Sequence, residues 1–253
     1  MHTWQRLGLL TLLIGCGSIL ILAGSPQRPT FTPEQEARLQ IREVRDELYV
    51  IPGFDGGQSG GNVAVRVTDD GVIIVDNKFP YSFDFITEQV LSVTNQPIKY
   101  VFNTHHHGDH AGSNADFMPS AEVIAHRNAR TNIIRNNQTG PPSVTFVDET
   151  AVFLGGAEAQ AHHFGRGHTN GDAIIYFPDL RTVHTGDLFI YGERLDGSTL
   201  SPFWDFGNGG SAVEWPATLT GLLALDFDTV IPGHGSILTK DDIRTFRRKL
   251  ETV

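Results

Sequence analysis

The run His105-His106-His107-Gly108-Asp109-His110 constrains this chain more than any other stretch. It contains the pattern HxHxDH directly after an apolar strand, Tyr100-Val101-Phe102-Asn103. In an extended segment side chains alternate, so His105 and His107 point the same way and can reach one metal ion, while His106 points away as a structural or supporting residue. Asp109 and His110 fall at a turn into a helix, where they can face a second ion. Imidazole and carboxylate are the donors of a hydrolytic zinc site, and the absence of thiolates argues against a closed structural Cys₄ zinc.

Other apolar strands end in the same way. Arg181-Thr182-Val183 runs into His184-Thr185-Gly186-Asp187, Thr229-Val230-Ile231 runs into Pro232-Gly233-His234-Gly235, and Val72-Ile73-Ile74-Val75 runs into Asp76. In open α/β sheets, sites gather where loops converge at strand ends, so these clusters point to one composite site. Strands are expected at 48–51, 62–67, 72–76, 98–103, 121–125, 173–177, 181–184 and 229–231, with further short strands through 144–163. Helices are expected at 83–93, 127–136, 211–225 and 240–250. Strands and helices alternate in two similar halves, which describes a layered α/β domain with strands inside and helices outside.

Length and composition bound the rest. At 253 residues the chain has room for one large or two small domains, and 40% apolar with 19% charged residues is a globular composition. A net charge of −10, with no basic run, argues against nucleic acid as a partner. The single cysteine, Cys16, forms no intramolecular disulfide and lies in the uncharged run 7–24. That run reads as a signal peptide cleaved after Ala23 or Gly24, or as an uncleaved membrane anchor, and its Leu13-Ile14-Gly15-Cys16 resembles a bacterial lipobox. The folded part is therefore expected to be exported, to the periplasm or beyond, with membrane attachment through this segment left open. Residues 25–43 read as a linker with a short helical stretch, and 44–253 as the domain. Oligomeric state has no handle in the sequence.

Taken together, the motifs THHHGDH (104–110), GRGHTNGD (165–172), HTGDLF (184–189) and IPGHG (231–235), with VIIVD (72–76) upstream, resemble in order and type those of the metallo-β-lactamase-fold hydrolases. The resemblance implies a four-layer αββα sandwich of the metallo-β-lactamase type, with two Zn²⁺ per chain. By it, His105, His107 and His168 would hold the first zinc, and Asp109, His110 and His234 the second, with Asp187 bridging the two. Asp76 would orient a ligand loop, because metal-bound imidazoles donate their other N–H to such groups. His162, His163 and His184 are expected to pack or support. A hydroxide shared by two zincs is a nucleophile at neutral pH, with Asp109 as the catalytic residue that orients it and relays a proton to the leaving group.

The same resemblance narrows the substrate. Zinc β-lactamases with Cys at the bridging position usually carry Lys three residues later. Here these positions are Asp187 and Ile190, a pattern closer to glyoxalase II and lactonases. Glyoxalase II has a C-terminal helical extension for glutathione, for which the 19 residues after His234 leave no room. The Gly-rich segment 54–61 is expected as a mobile hairpin tip over the metals, and 192–210 brings Phe203, Trp204 and Phe206, aromatics suited to an apolar acyl or ring substrate. Tyr191 is placed to polarise a carbonyl. The expected function is hydrolysis of an ester, lactone, thioester or amide in a small molecule. A true β-lactamase, a mononuclear iron persulfide dioxygenase and a non-catalytic metal-binding protein are the rival readings.

Overall fold

Val72-Ile73-Ile74-Val75 is apolar at every position, a pattern that suits a strand covered on both faces. In the computed structural model, which describes residues 27–55 and 57–252, it is used in that way. Val72 and Ile74 pack outward against helices, while Ile73 and Val75 pack inward against a second sheet. The run 7–24 and Cys16 lie outside the described residues. Among the described residues no helix is long and apolar enough to cross a membrane.

The first sheet has seven strands in sequence order: β1 (Arg42–Arg45), β2 (Leu48–Ile51), β3 (Val63–Thr68), β4 (Gly71–Val75), β5 (Ile98–Asn103), β6 (Glu122–His126) and β7 (Val144–Phe146). Strands β1 to β4 pair antiparallel, and β4 to β7 pair parallel. The second sheet comprises β8 (Glu149–Leu154), β9 (Ala157–His162), β10 (Ile174–Phe177), β11 (Thr182–His184), β12 (Thr229–Ile231) and β13 (Leu238–Thr239), ordered β13-β12-β11-β10-β9-β8. Only β11 and β12 pair parallel there, with Val183 opposite Val230. Among the described residues seven α-helices, besides short 3-10 turns, complete the set: α1 (Pro33–Leu39), α2 (Phe83–Leu91), α3 (Gly108–Ala111), α4 (Asn114–Phe117), α5 (Arg127–Arg135), α6 (Trp215–Ala224) and α7 (Lys240–Leu250).

Three apolar layers hold these elements in a four-layer αββα sandwich. Phe102, Ile124 and Val75 of the first sheet meet Ile175, Phe177 and Ile231 of the second in the central layer. Ile86 and Val90 of α2 and Phe117 of α4 cover the outside of the first sheet. Trp215, Leu219 and Leu222 of α6 and Ile243 of α7 cover the second. The expected α/β class and layering are therefore observed. Helix α6 begins at Trp215 rather than 211, because Pro216 has no N–H and fits only in a first turn.

Parallel pairing decides where the strand ends lie. Strands β4 and β5 run the same way, so Asp76 and the 103–110 segment emerge at one edge. Strands β11 and β12 do the same for the 184–187 and 231–235 segments. The sandwich brings these edges together, and Asn62 links them. Its Oδ1 accepts from Gly53 N at 2.8 Å, and its Nδ2 donates to Pro232 O at 2.8 Å and Gly235 O at 3.1 Å.

Packing of this kind has measurable consequences. Phe102→Ala, in the central layer, should cost about 3–5 kcal/mol in urea unfolding, while Phe153→Ala on exposed β8 (72% exposed) should cost less than about 0.5 kcal/mol. A second expectation concerns acid. His126, at the junction of β6 and α5, accepts from Asn128 N through Nδ1 and stacks on His163 at 3.9 Å. Burial, with His163 beside it, lowers its pKa from 6.5 to about 4. Between those values the unfolded chain binds more protons, so stability falls as pH drops from about 6.5 through about 4, by on the order of 2–3 kcal/mol from this residue. Unfolding free energies across that window should show a shallower slope in His126→Asn; superimposable slopes would remove His126 from the acid response.

Candidate metal centre

Strand β5 ends at Asn103, and the chain bends through Thr104–His106 before α3 starts at Gly108. The histidines thus lie on a bend rather than the extended segment expected, yet His105 and His107 still converge. Nε2 of His105 is 3.1 Å from Nδ1 of His107, which is 2.9 Å from Nε2 of His168. His106 is buried with neither ring nitrogen hydrogen-bonded; it lies outside the His105/His107/His168/Asp187 set but does not point away as alternation predicts, since its Nε2 is 3.8 Å from Asp205 Oδ2 in a third group with His107. From the first turn of α3, Asp109 and His110 meet His234, which follows β12. Nε2 of His234 is 3.1 Å from Nε2 of His110 and 3.2 Å from Oδ2 of Asp109.

Asp187, after β11, stands between the two groups. Its Oδ2 is 3.7 Å from His168 Nε2, and its Oδ1 is 3.2 Å from His110 Nε2 and 3.4 Å from His234 Nε2. All seven residues named from the sequence are therefore gathered within two adjoining donor sets, His105/His107/His168/Asp187 and Asp109/His110/His234.

The donors suit divalent metal. Zn–N bonds of about 2.0–2.1 Å put tetrahedral ligand atoms roughly 3.3 Å apart, close to the spacings here. His107 Nδ1 has the Nε2 atoms of His105 and His168 at 3.1 and 2.9 Å, and these three imidazole nitrogens cannot all be satisfied by the protons they carry. Asp187 Oδ1 is buried and has no hydrogen-bond partner. A shared cation would satisfy these groups together.

Electrostatics follow from the crowding. Burial opposes charge on Asp187, but His234 and His110 hold its carboxyl well below the usual range. Burial likewise opposes charge on His110, and Asp187, Asp109 and Asp76 outweigh it, raising His110 well above 6.5. His234 is pushed up to about 9 against the same burial, chiefly by Asp187 and Asp109. His105 goes the other way: burial and neighbouring imidazoles keep it neutral. The His105 side is thus ready to offer lone pairs, while the His110 side holds acid and base in balance.

The rings are aimed by their other nitrogens. Asp76, fully buried after β4, accepts from Thr104 N at 2.7 Å and Thr104 Oγ1 at 2.8 Å, and meets His110 Nδ1 at 2.7 Å. This is the supporting carboxylate expected from the sequence. His168 Nδ1 donates to Phe203 O at 2.6 Å. His184 contacts Asn62 O, His162 contacts Gln160, and His163 stacks on His126, so these three lie outside the donor sets. Tyr191 sends its backbone N–H to His234 O at 3.2 Å and leaves its ring 55% exposed. Two glycines mark close approach: a Cβ on Gly61 would strike the His110 ring, and one on Gly233 would strike Asp187 Oδ1.

Two contributors have no sequence signal. Asp205 meets His107 Nε2 through Oδ2 at 2.8 Å, across a separation in sequence that no local pattern reveals. Lys78 is buried, and its Nζ donates to the carbonyls of Pro52, Ser59 and Gly61 at 2.6–2.9 Å. Burial lowers Lys78 to about 7 while Asp109 opposes the shift; its three acceptors match the three N–H groups of an ammonium. Lys78 Nζ thus ties the base of the Gly-rich hairpin to the core.

Comparison with known proteins agrees with this fold. A model of the metallo-beta-lactamase superfamily matches residues 56–234. The chain is 30% identical over 172 residues to 2,4-dinitroanisole O-demethylase subunit alpha of Nocardioides sp. (strain JS1661), covering 66% of this chain but only 50% of that protein. It is 25% identical over 170 residues to metallo-beta-lactamase type 2 of Elizabethkingia meningoseptica, covering 65% of this chain and 66% of the other. Against metallo-beta-lactamase type 2 of Bacillus cereus the figures are 23% over 253 residues, 93% and 94%. Among solved structures, the metallo-beta-lactamase from Pontibacter korlensis superposes with TM-score 0.72 at 17% identity, over 85% of this chain and all (100%) of that one. DIM-1 metallo-beta-lactamase gives 0.69 at 18%, over 85% and 98%. At these identities the superpositions speak for the fold alone.

The role of Asp76 can be checked in metal-free protein. Asp76→Asn keeps a residue that tolerates its φ of 63° but replaces a carboxylate oxygen by a donor. Stability should fall by about 1–3 kcal/mol in denaturant titration, and an unchanged midpoint would show that the carboxylate carries no such load.

Proposed function

The chain belongs to the metallo-beta-lactamase superfamily, and on that footing we propose that it is an exported, binuclear zinc hydrolase cleaving an ester, lactone, thioester or amide bond in a small molecule. The observation that carries the two-metal reading is Asp187, whose oxygens face one donor set each. His105, His107 and His168 would hold one ion, Asp109, His110 and His234 the other, and Asp187 both. When bound, the ions supply Lewis acidity and lower the pKa of water toward neutrality.

The protein residues supply aim and proton handling. Asp109 is mostly buried and stands at the start of α3 beside His234, where its carboxylate can orient an attacking water and return a proton to the departing oxygen, sulfur or nitrogen. His110 is kept in register by Asp76, so the donors do not reorganise as charge develops. Phe203, 58% exposed, sits with its ring 5.8 Å from His168 and 6.5 Å from His107, and offers an apolar wall to an acyl or ring group. An aromatic substrate fits that wall, and the Nocardioides relative is itself named for demethylating a dinitroanisole. Export rests on the uncharged run 7–24.

Hydrolysis of β-lactams is the second reading, favoured by the names of the Elizabethkingia and Bacillus relatives. Asp187 and Ile190, in place of Cys and Lys, weigh against it. One experiment separates the readings: metal analysis joined to a panel of β-lactams, lactones, thioesters and phosphoesters, with and without chelator. Two zincs per chain and chelator-sensitive cleavage of a lactone or thioester are expected. A single iron with sulfide-dependent oxygen uptake would replace the proposal by an iron dioxygenase. In the same assay Asp109→Ala should lower kcat by at least about 100-fold, within the usual range for a general acid or base. Near-wild-type turnover with both metals retained would exclude Asp109 from the proton path.

A further inference from the structure

The two donor sets are supported from different parts of the molecule. His110 leans on Asp76, which is fully buried at the end of β4. His107 and His168 lean on the crossover between β11 and β12. Oδ2 of Asp205 meets His107 Nε2 at 2.8 Å, and the Phe203 carbonyl accepts from His168 Nδ1 at 2.6 Å. The crossover is held in turn: Asp205 N donates to His168 O at 2.9 Å, and Asn208 donates to the Asp205 carboxylate through N at 3.1 Å and Nδ2 at 2.5 Å. Behind the carboxylate lies His106, with Nε2 at 3.8 Å from the same Oδ2. The segment that carries Phe203 into the mouth therefore also aims two of the three imidazoles of one donor set.

We propose that Asp205 is a positioning residue: its carboxylate takes the second N–H of His107, fixing the ring's tautomer and direction so that Nδ1 faces His105 and His168. A carboxylate on the far nitrogen also raises the basicity of the near one, strengthening it as a donor. Together with the Phe203 carbonyl, it makes the 203–208 segment the outer support of the His105/His107/His168 set. The Asp109/His110/His234 set has no contact with that segment among the described hydrogen bonds and takes its support from the core. Any substrate group packed on Phe203 presses on the same few residues that hold the first set in shape.

The inference rests on the reading that these sets hold metal, and its test separates the two. Zn²⁺ is competed against a chromophoric chelator in the wild-type protein, Asp205→Ala and Asp205→Asn, and the melting of each metal-free protein is recorded alongside. One of two zinc ions should lose about 10–100-fold in affinity in Asp205→Ala, and less in Asp205→Asn, whose amide oxygen still accepts from His107. The other ion should stay within about twofold, a split between the two ions that a purely structural residue would not produce; loss of the Asn208 contacts lowers the metal-free melting of Asp205→Ala without making the two ions lose affinity equally. Both ions held with wild-type affinity in Asp205→Ala would overturn the positioning role and leave the metal reading intact. Equal losses at both ions with a lowered metal-free melting would overturn it in favour of a folding role. A wild-type protein that takes up no zinc would sink the metal reading, and this inference with it.

Discussion

Buried imidazole nitrogens and carboxylate oxygens crowded within about 3–4 Å are an arrangement that a protein interior resists, and the rest of this structure is organised around holding it. His107 Nδ1 has two other imidazole nitrogens within 3.1 Å, and His110 Nε2 has an imidazole and two carboxylates nearby. Such a cluster persists only where rigid elements deliver each side chain and where the far nitrogens are already committed. Parallel strand ends deliver the groups. Asp76, Phe203 O and Asp205 commit the far nitrogens of His110, His168 and His107.

Neutral and charged members of the cluster follow from geometry. His105, hemmed in by other imidazoles, stays neutral, whereas His110 and His234 face carboxylates and are driven to carry protons. The same desolvation acts on all of them, so the sign of the nearest charge decides the outcome. The loops that approach this cluster pay in side chains: Gly61 and Gly233 have no room for a Cβ, and the Gly-rich hairpin is anchored by the buried Lys78 Nζ together with Phe54, which packs on Phe31 and Leu39.

What could be read from the sequence was whatever is local or chemically dense. HxHxDH is contiguous, and Asp187 and His234 each follow closely on an apolar run that reads as a buried strand, so these donors and the layering were legible; His168 follows no such run and was placed by the motif resemblance alone. Asp205 was not, because it sits in a crossover without hydropathy period and meets His107 only through tertiary folding. Lys78 was invisible for a related reason: a lysine reads as surface unless the three carbonyls that receive it are known. Strand β1, Arg-Glu-Val-Arg, has too few apolar residues to announce itself and owes its form to pairing with β2. The bend at Thr104–His106 also escaped, though alternation still led to the right pair of histidines.

Strands β11 and β12 are hydrogen-bonded neighbours, and that pairing, with Gly233 N on Gly186 O and Asn62 on Pro232 O, fixes the positions of Asp187 and His234. Within the crossover between them, the stretch 192–210 that carries Phe203 and Trp204 can change length or composition while β11, β12 and α6 keep both residues in place. A lineage built on this fold is therefore free to exchange its clientele by rewriting one connection, while its reactive groups stay where the sheet puts them. That freedom has one restriction inside the rewritten stretch: whatever replaces the 203–208 segment must still present acceptors to His107 and His168. Diversification is cheap along the crossover and dear at those two points.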